Sequence, residues 1–123
     1  MRSPVLLLLL ATTAHASGFD ARVAAAKAAI AMPGGRAYDM AMVPAIHAAI
    51  VPCVPASPDP AGAGAFVLVA DVDSTGRVLS ADVRPASPIA RCFARHLGAD
   101  RLRRPPAHLP RTWPIVVNMQ TRR

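Results

Sequence analysis

The chain has 123 residues and a formal net charge of +7, yet it contains no Glu and a single Lys, so nearly all of its positive charge is arginine. Six arginines fall between Arg91 and Arg111 against one acid, Asp100, a balance that would attract phosphates or carboxylates but that a GC-rich coding bias also produces. Aromatic residues make up 4% of the chain, too few for a base-stacking platform, so nucleic acid is not expected as a partner.

Residues 1–16, "MRSPVLLLLLATTAHA", have a cation at Arg2, an apolar run and an A-x-A site ending at Ala16. This is the pattern of a secretory signal peptide. The alternative is an uncleaved anchor, which needs roughly 17–25 apolar residues, and this run is shorter. We therefore expect a periplasmic or secreted protein of the Gram-negative type, which contacts a membrane only through the signal peptide before cleavage.

Two helices are predicted next, the first in the N-terminal segment 17–36. Asp20 is a suitable N-cap for a helix over residues 20–32, and "PGG" at 33–35 ends it. The second helix covers about residues 38–51. Pro44 lies inside it and predicts either a kink or a new helix start.

Cys53 follows the second helix, and Cys92 is the only other cysteine. An even number of cysteines in an exported chain predicts one disulfide. A catalytic thiol or a metal site is the alternative, although no CxxC or HxxxH accompanies the pair. His47 and His96 could ligate a metal together, but a helix-terminal histidine facing solvent is the simpler interpretation of His96. No metal is therefore predicted.

The stretch "FVLVADVDSTGRVLSADVR", residues 66–84, predicts a β-hairpin with Gly76 in its turn. Phe66, Leu68, Ala70 and Val72 form its apolar face. Asp71 and Asp73 share the other face, and we interpret them as part of a solvated turn near Arg77 rather than as a catalytic pair.

"SPIARCFARHLG" predicts a helix with Ser87 as N-cap, Pro88 at its first position and Gly98 just past its end. A proline-rich connector follows. "WPIVVNMQ", residues 113–120, is then a strand whose Pro114 suits the edge of a sheet.

The element order α, α, β, β, α, β predicts an α+β fold, a two-layer sandwich with a small antiparallel sheet. No residue constellation names a reaction, because no G-x-S-x-G or interpretable triad is present. No CxxCH occurs either, so haem attachment through that motif is excluded. We predict a non-enzymatic protein without catalytic residues or cofactors.

Residues 37–123 resemble the C-terminal domain of TonB-type energy transducers and related domains of gliding-motility proteins. The resemblance rests on "GAFVLVADVDSTGRVLSADVRP", the capped helix, "LRRPP" and "WPIVVNM", and runs from about Ile46 to Met119. It implies a periplasmic module whose sheet edge captures an extended segment of an envelope protein by strand addition. TonB transducers keep a membrane anchor and a long Pro-rich spacer, so the resemblance implies a stand-alone secreted member. The implied binding edge consists of Ile115, Val116, Val117, Asn118 and Met119.

The connector offers a second candidate surface at Arg101, Arg103 and Arg104. Arginine forks bind carboxylates and phosphates with two parallel hydrogen bonds. An anionic envelope component such as lipopolysaccharide or peptidoglycan is the expected ligand. A solvated charge run without a function is the alternative.

Overall fold

The computed structural model of the chain describes residues 18–55, 64–106 and 112–120. The predicted signal peptide, most of the loop between the second helix and the hairpin, and Arg111 lie outside these residues. Within them, no helix is long and apolar enough to cross a membrane.

Four helices form in the described chain: α1 (Phe19–Ile30), α2 (Gly35–Ala41), α3 (Val43–Ile50) and α4 (Pro88–Ala99), with a 3-10 turn at Val51–Cys53. The predicted second helix is divided at Met42, and Pro44 lies in the first turn of α3, where its missing N–H costs no helical hydrogen bond. The N-cap of α1 is Gly18, so Asp20 lies inside the first turn rather than capping it. A carboxylate there still interacts favourably with the positive end of the helix.

The start of α4 agrees with the sequence prediction, whereas its end does not. The hydroxyl of Ser87 accepts a hydrogen bond from the Ala90 N–H at 3.2 Å, and Pro88 opens the helix, both as predicted. The prediction that Gly98 lies beyond the helix is wrong, because α4 continues through it to Ala99.

Three strands, β1 (Phe66–Val72), β2 (Val78–Arg84) and β3 (Trp113–Met119), form an antiparallel sheet in the order β2-β1-β3. The predicted hairpin is therefore confirmed, and Gly76 adopts φ +90° in its turn. The strand that begins at Trp113 is an outer strand, as Pro114 predicts.

The main core lies on one face of this sheet. Phe66, Leu68, Ala70 and Val72 are all buried there and belong to one cluster with α4. The rings of Phe66 and Phe93 lie 5.5 Å apart. The predicted apolar face of the hairpin is thus the core face.

Helix α1 lies on the other face. Asp71 points there and bonds to Arg22 of α1, and Arg84 lies over the Phe19 ring, 4.8 Å from its centroid. The α+β class and the small antiparallel sheet are confirmed. The predicted two-layer arrangement describes only the side of the main core, because α1 covers part of the opposite face.

Candidate functional site

β3 presents an outer edge of the sheet with an unbroken register. All seven of its residues pair with β1, from Trp113 opposite Val72 to Met119 opposite Phe66. The predicted edge residues alternate along it: Ile115 and Val117 are buried, Asn118 is exposed, and Val116 and Met119 are half-buried. An outer strand of regular geometry is the form that accepts an additional strand.

The opposite edge of the sheet, β2, is irregular. Its register shifts between Val69 and Asp71, so Ser80 and Ala81 together lie opposite Ala70, and Ser80 adopts φ +52°. This is a β-bulge, which bends an edge strand and weakens its ability to pair further. The two outer strands therefore differ, and β3 is the regular one.

Arg22, which lies in α1, contacts the bulge. Its guanidinium donates to the Ser80 carbonyl oxygen at 2.6 Å and lies 3.4 Å from a carboxylate oxygen of Asp71. Sequence analysis places Asp71 near Arg77, whereas the ion pair in the described residues is with Arg22. The pair is partly exposed, so we attribute to it positioning of α1 rather than much stability.

Helices lie beside the first half of β3. A small pocket is lined by Ala26 and Ile30 of α1, by Tyr38 and neighbouring residues of α2, and by β3 from Trp113 to Val116. Of the five predicted edge residues, Asn118 is the exposed one and the neighbouring Met119 is half-buried, so this end of β3 is the more accessible part of the predicted site.

The arginine-bearing connector is fixed at two main-chain points. The N–H of Leu102, whose side chain is buried, donates to the Gly76 carbonyl oxygen at 2.8 Å. The Tyr38 hydroxyl donates to the Arg103 carbonyl oxygen at 2.9 Å. The main chain between the predicted arginine ligands is thus held against the hairpin turn and α2.

The arginine side chains themselves face solvent. Arg101, Arg103 and Arg104 are all exposed, and no acidic side chain of residues 18–55, 64–106 or 112–120 forms an ion pair with them. The structure therefore brings the three predicted cations onto one anchored segment with their side chains exposed.

Tyr38 connects this segment to β3. Its ring lies edge-on to the Trp113 ring at a centroid distance of 6.1 Å. Burial raises the pKa of the Tyr38 phenol to about 12, since the phenolate would lose its hydration. The sequence offers no signal for this role, because a single tyrosine in a helix is not distinguishable from an ordinary core residue.

The hairpin acids have structural partners. One carboxylate oxygen of Asp73 accepts hydrogen bonds from the Thr75 hydroxyl, the Thr75 N–H and the Arg77 N–H. The Thr75 hydroxyl contributes most to lowering the pKa of Asp73. These hydrogen bonds organise the turn of the hairpin, which is where the sequence interpretation places Asp73.

The predicted disulfide is present between Cys53, at the end of the 3-10 turn, and Cys92 of α4, with their Cα atoms 5.7 Å apart. It ties the helical segment before the loop to the helix after the hairpin. His96, one helical turn beyond Cys92, lies beside this pair. The sequence favours a solvent-facing His96 over a metal pair with His47, and His96 is exposed. The i, i+4 spacing of Cys92 and His96 is the signal that could have shown that these two residues lie close together.

Comparison with family models, curated proteins and solved structures finds no match for this chain.

Proposed function

We propose that this protein is a non-enzymatic binding module of the periplasm or the secreted fraction, which captures an extended segment of an envelope protein by strand addition to β3. The observation that carries the proposal is the difference between the two outer strands. β3 keeps a seven-residue register, whereas β2 is bulged at Ser80 and held there by Arg22. Strand addition obtains affinity from main-chain hydrogen bonds, so it needs a regular, accessible edge.

Two further points support the proposal. The resemblance to TonB-type C-terminal domains implies the same edge, and the Cys53–Cys92 disulfide suits an oxidising compartment. The binding edge consists of the five predicted residues of β3, Ile115 to Met119. Asn118 and Met119 make first contact, because they form the more exposed end of this edge.

The test uses neighbouring proline substitutions, Asn118→Pro and Met119→Pro. Successive N–H groups of a strand point to opposite neighbours. One substitution therefore removes a hydrogen bond to β1, and the other removes a donor from the free edge. Asn118→Ala and Met119→Ala are the matched controls, since they remove the side chains and leave the N–H groups.

We expect the free-edge proline variant to keep its thermal stability and to lose capture of its partner from envelope extract. Hydrogen exchange of the captured complex should show new protection of the free-edge amides of β3. Capture that both proline variants retain, with both folded by circular dichroism, would refute strand addition at this edge.

A second candidate function is docking of an anionic envelope ligand at Arg101, Arg103 and Arg104. The observation that favours it is that Leu102 and the Arg103 carbonyl fix the main chain while the three guanidinium groups face solvent. A fixed segment loses less conformational entropy when its side chains bind a ligand.

Replacing the three connector arginines with Ala should weaken binding to lipopolysaccharide or peptidoglycan. The control variant replaces Arg36, Arg91 and Arg95 with Ala. These three arginines are also exposed, so their substitution removes the same charge from the surface. An equal loss in both variants would indicate a general charge effect and refute a localised site. The proline variants of β3 should leave this binding unchanged, which separates the two candidate functions.

A further inference from the structure

One group of three potential metal ligands occurs in the described residues. It consists of the two cysteines of the disulfide and one histidine. The Sγ atoms of Cys53 and Cys92 and an imidazole nitrogen of His96 all lie within 4.8 Å of one another. Cys92 and His96 are one turn apart on α4, and Cys53 approaches from the 3-10 turn. The three ligands therefore come from two elements that pack together, α4 and the 3-10 turn.

The donor set matches a particular class of ion. Thiolate sulfur and imidazole nitrogen are the ligands that Zn²⁺ takes in proteins, at roughly 2.3 Å and 2.0 Å. Around a tetrahedral ion these bond lengths place the donor atoms roughly 3.5–3.8 Å apart. The three donor atoms already lie within 4.8 Å of one another, and the two Sγ atoms, which are bonded to each other in the disulfide, would move apart to that spacing after reduction.

The solvent exposure of the group suits a zinc site with three protein ligands and a fourth coordination position open to water. Both cysteines are half-buried, whereas His96 is exposed. A Cys₂His site with its fourth position filled by water is a known form of zinc coordination. Solvent access on the His96 side would supply that water.

We propose that the reduced form of this protein binds one Zn²⁺ through Cys53, Cys92 and His96, and that the disulfide and the metal exclude each other. An external dithiol would reduce the Cys53–Cys92 disulfide by two electrons and itself become a disulfide. The two cysteine thiols formed then lose their protons to solvent as the thiolates bind the ion. In the oxidised form both sulfurs are bonded to each other and provide no thiolate.

The test measures Zn²⁺ affinity of the full mature chain before and after reduction with a phosphine that is then removed. Competition with a chromophoric chelator gives the affinity. We expect one Zn²⁺ per reduced chain and no binding by the oxidised chain. Cys92→Ser should abolish binding, and His96→Ala should weaken it at least about tenfold through loss of a ligand. His47→Ala is the matched control, because His47 is exposed on α3 and lies outside the ligand group.

Circular dichroism and thermal melting separate a folded site from binding by an unfolded chain. Zn²⁺ should raise the Tm of the reduced wild-type protein, since a ligand bound only by the native state stabilises it. The same addition should raise the Tm of His47→Ala as much as that of the wild type and should raise that of His96→Ala less. Co²⁺ in place of Zn²⁺ should produce the visible absorption bands of a tetrahedral thiolate site.

Three results would overturn the proposal. The first is equal Zn²⁺ affinity of the oxidised and reduced chains. The second is equal affinity of the reduced His96→Ala variant and the reduced wild type. The third is a reduced chain that is unfolded and stays unfolded when Zn²⁺ is added.

Discussion

The main-chain N–H of Leu102 donates to the carbonyl oxygen of Gly76 at 2.8 Å, which joins the arginine-bearing connector to the turn of the hairpin. The approach is so close that a Cβ atom on Gly76 would lie 2.0 Å from the Leu102 carbonyl oxygen. Gly76 also adopts φ +90°, a conformation that other residues adopt only at a cost. The turn and the connector therefore depend on the same glycine.

Gly76→Ala should destabilise the protein by more than the roughly 1–2 kcal/mol of the left-handed conformation alone, because the new methyl group also displaces Leu102. Urea unfolding measures the loss. Gly98→Ala is the matched control: its Cβ would meet nothing within 4 Å, and Gly98 lies inside α4. We expect that control to leave stability unchanged or to raise it by up to about 1 kcal/mol. Equal losses in the two variants would contradict a special role for Gly76.

Tyr38→Phe should cost about 1 kcal/mol, since it removes the hydrogen bond to the Arg103 carbonyl oxygen and leaves that acceptor to water. The wild-type protein should also become less stable as pH rises from 10 towards 12. The pKa of Tyr38 is about 12 in the folded protein and 10.0 without the protein environment, so the unfolded chain loses the proton first.

Tyr38 is the only tyrosine in the chain, so ultraviolet absorbance follows its ionisation directly. A midpoint near pH 10 in the folded protein would contradict its burial. The difference in unfolding free energy between the wild type and Tyr38→Phe should be constant below pH 10 and shrink above it.

Replacing both cysteines with alanine should lower stability by roughly 4 kcal/mol, the chain-entropy value for a disulfide that closes a loop of 39 residues. Urea unfolding of the double variant against the oxidised wild type gives the difference. The reduced wild type, free of metal, should resemble the double variant. A loss below about 1 kcal/mol would show that packing between α3 and α4 holds these elements without the disulfide.

Asp73→Ala should lower the Tm by a few degrees, because the turn loses an acceptor of three hydrogen bonds. Asp73→Asn keeps an acceptor oxygen and should lose less. The pKa of Asp73 is below its ordinary value of 3.8 in the folded protein, so its contribution is present above pH 3.8 and is lost as pH falls through the folded value. Melting curves down to pH 2 compare the variants; a steeper acid loss in Asp73→Ala than in the wild type would contradict this account.

Local signals account for the parts of the fold that the sequence predicts. Ser87 and Pro88 begin α4 through contacts within one turn, and the alternation from Phe66 to Val72 defines a strand and its buried face. The disulfide is predicted from the even number of cysteines and from the expectation of an exported chain. Each of these features depends on neighbours in the chain, or on a choice with only one possible pairing.

The features that the sequence does not predict depend on contacts between distant residues. Arg22 reaches Ser80 across 58 positions, and the placement of α1 and the bulge in β2 are both associated with that contact. His96 lies near Cys92 through their i, i+4 spacing on α4, but Cys53 joins them only because α3 and α4 pack together.

Trp113 is the only tryptophan of the chain and is buried beside Tyr38, at the first residue of β3. Tyr38 in turn holds the connector through Arg103. One intrinsic fluorophore therefore lies where the strand, the helix and the arginine segment meet. Its emission offers a label-free optical signal for titrations at either candidate surface, with no dye attached to the protein.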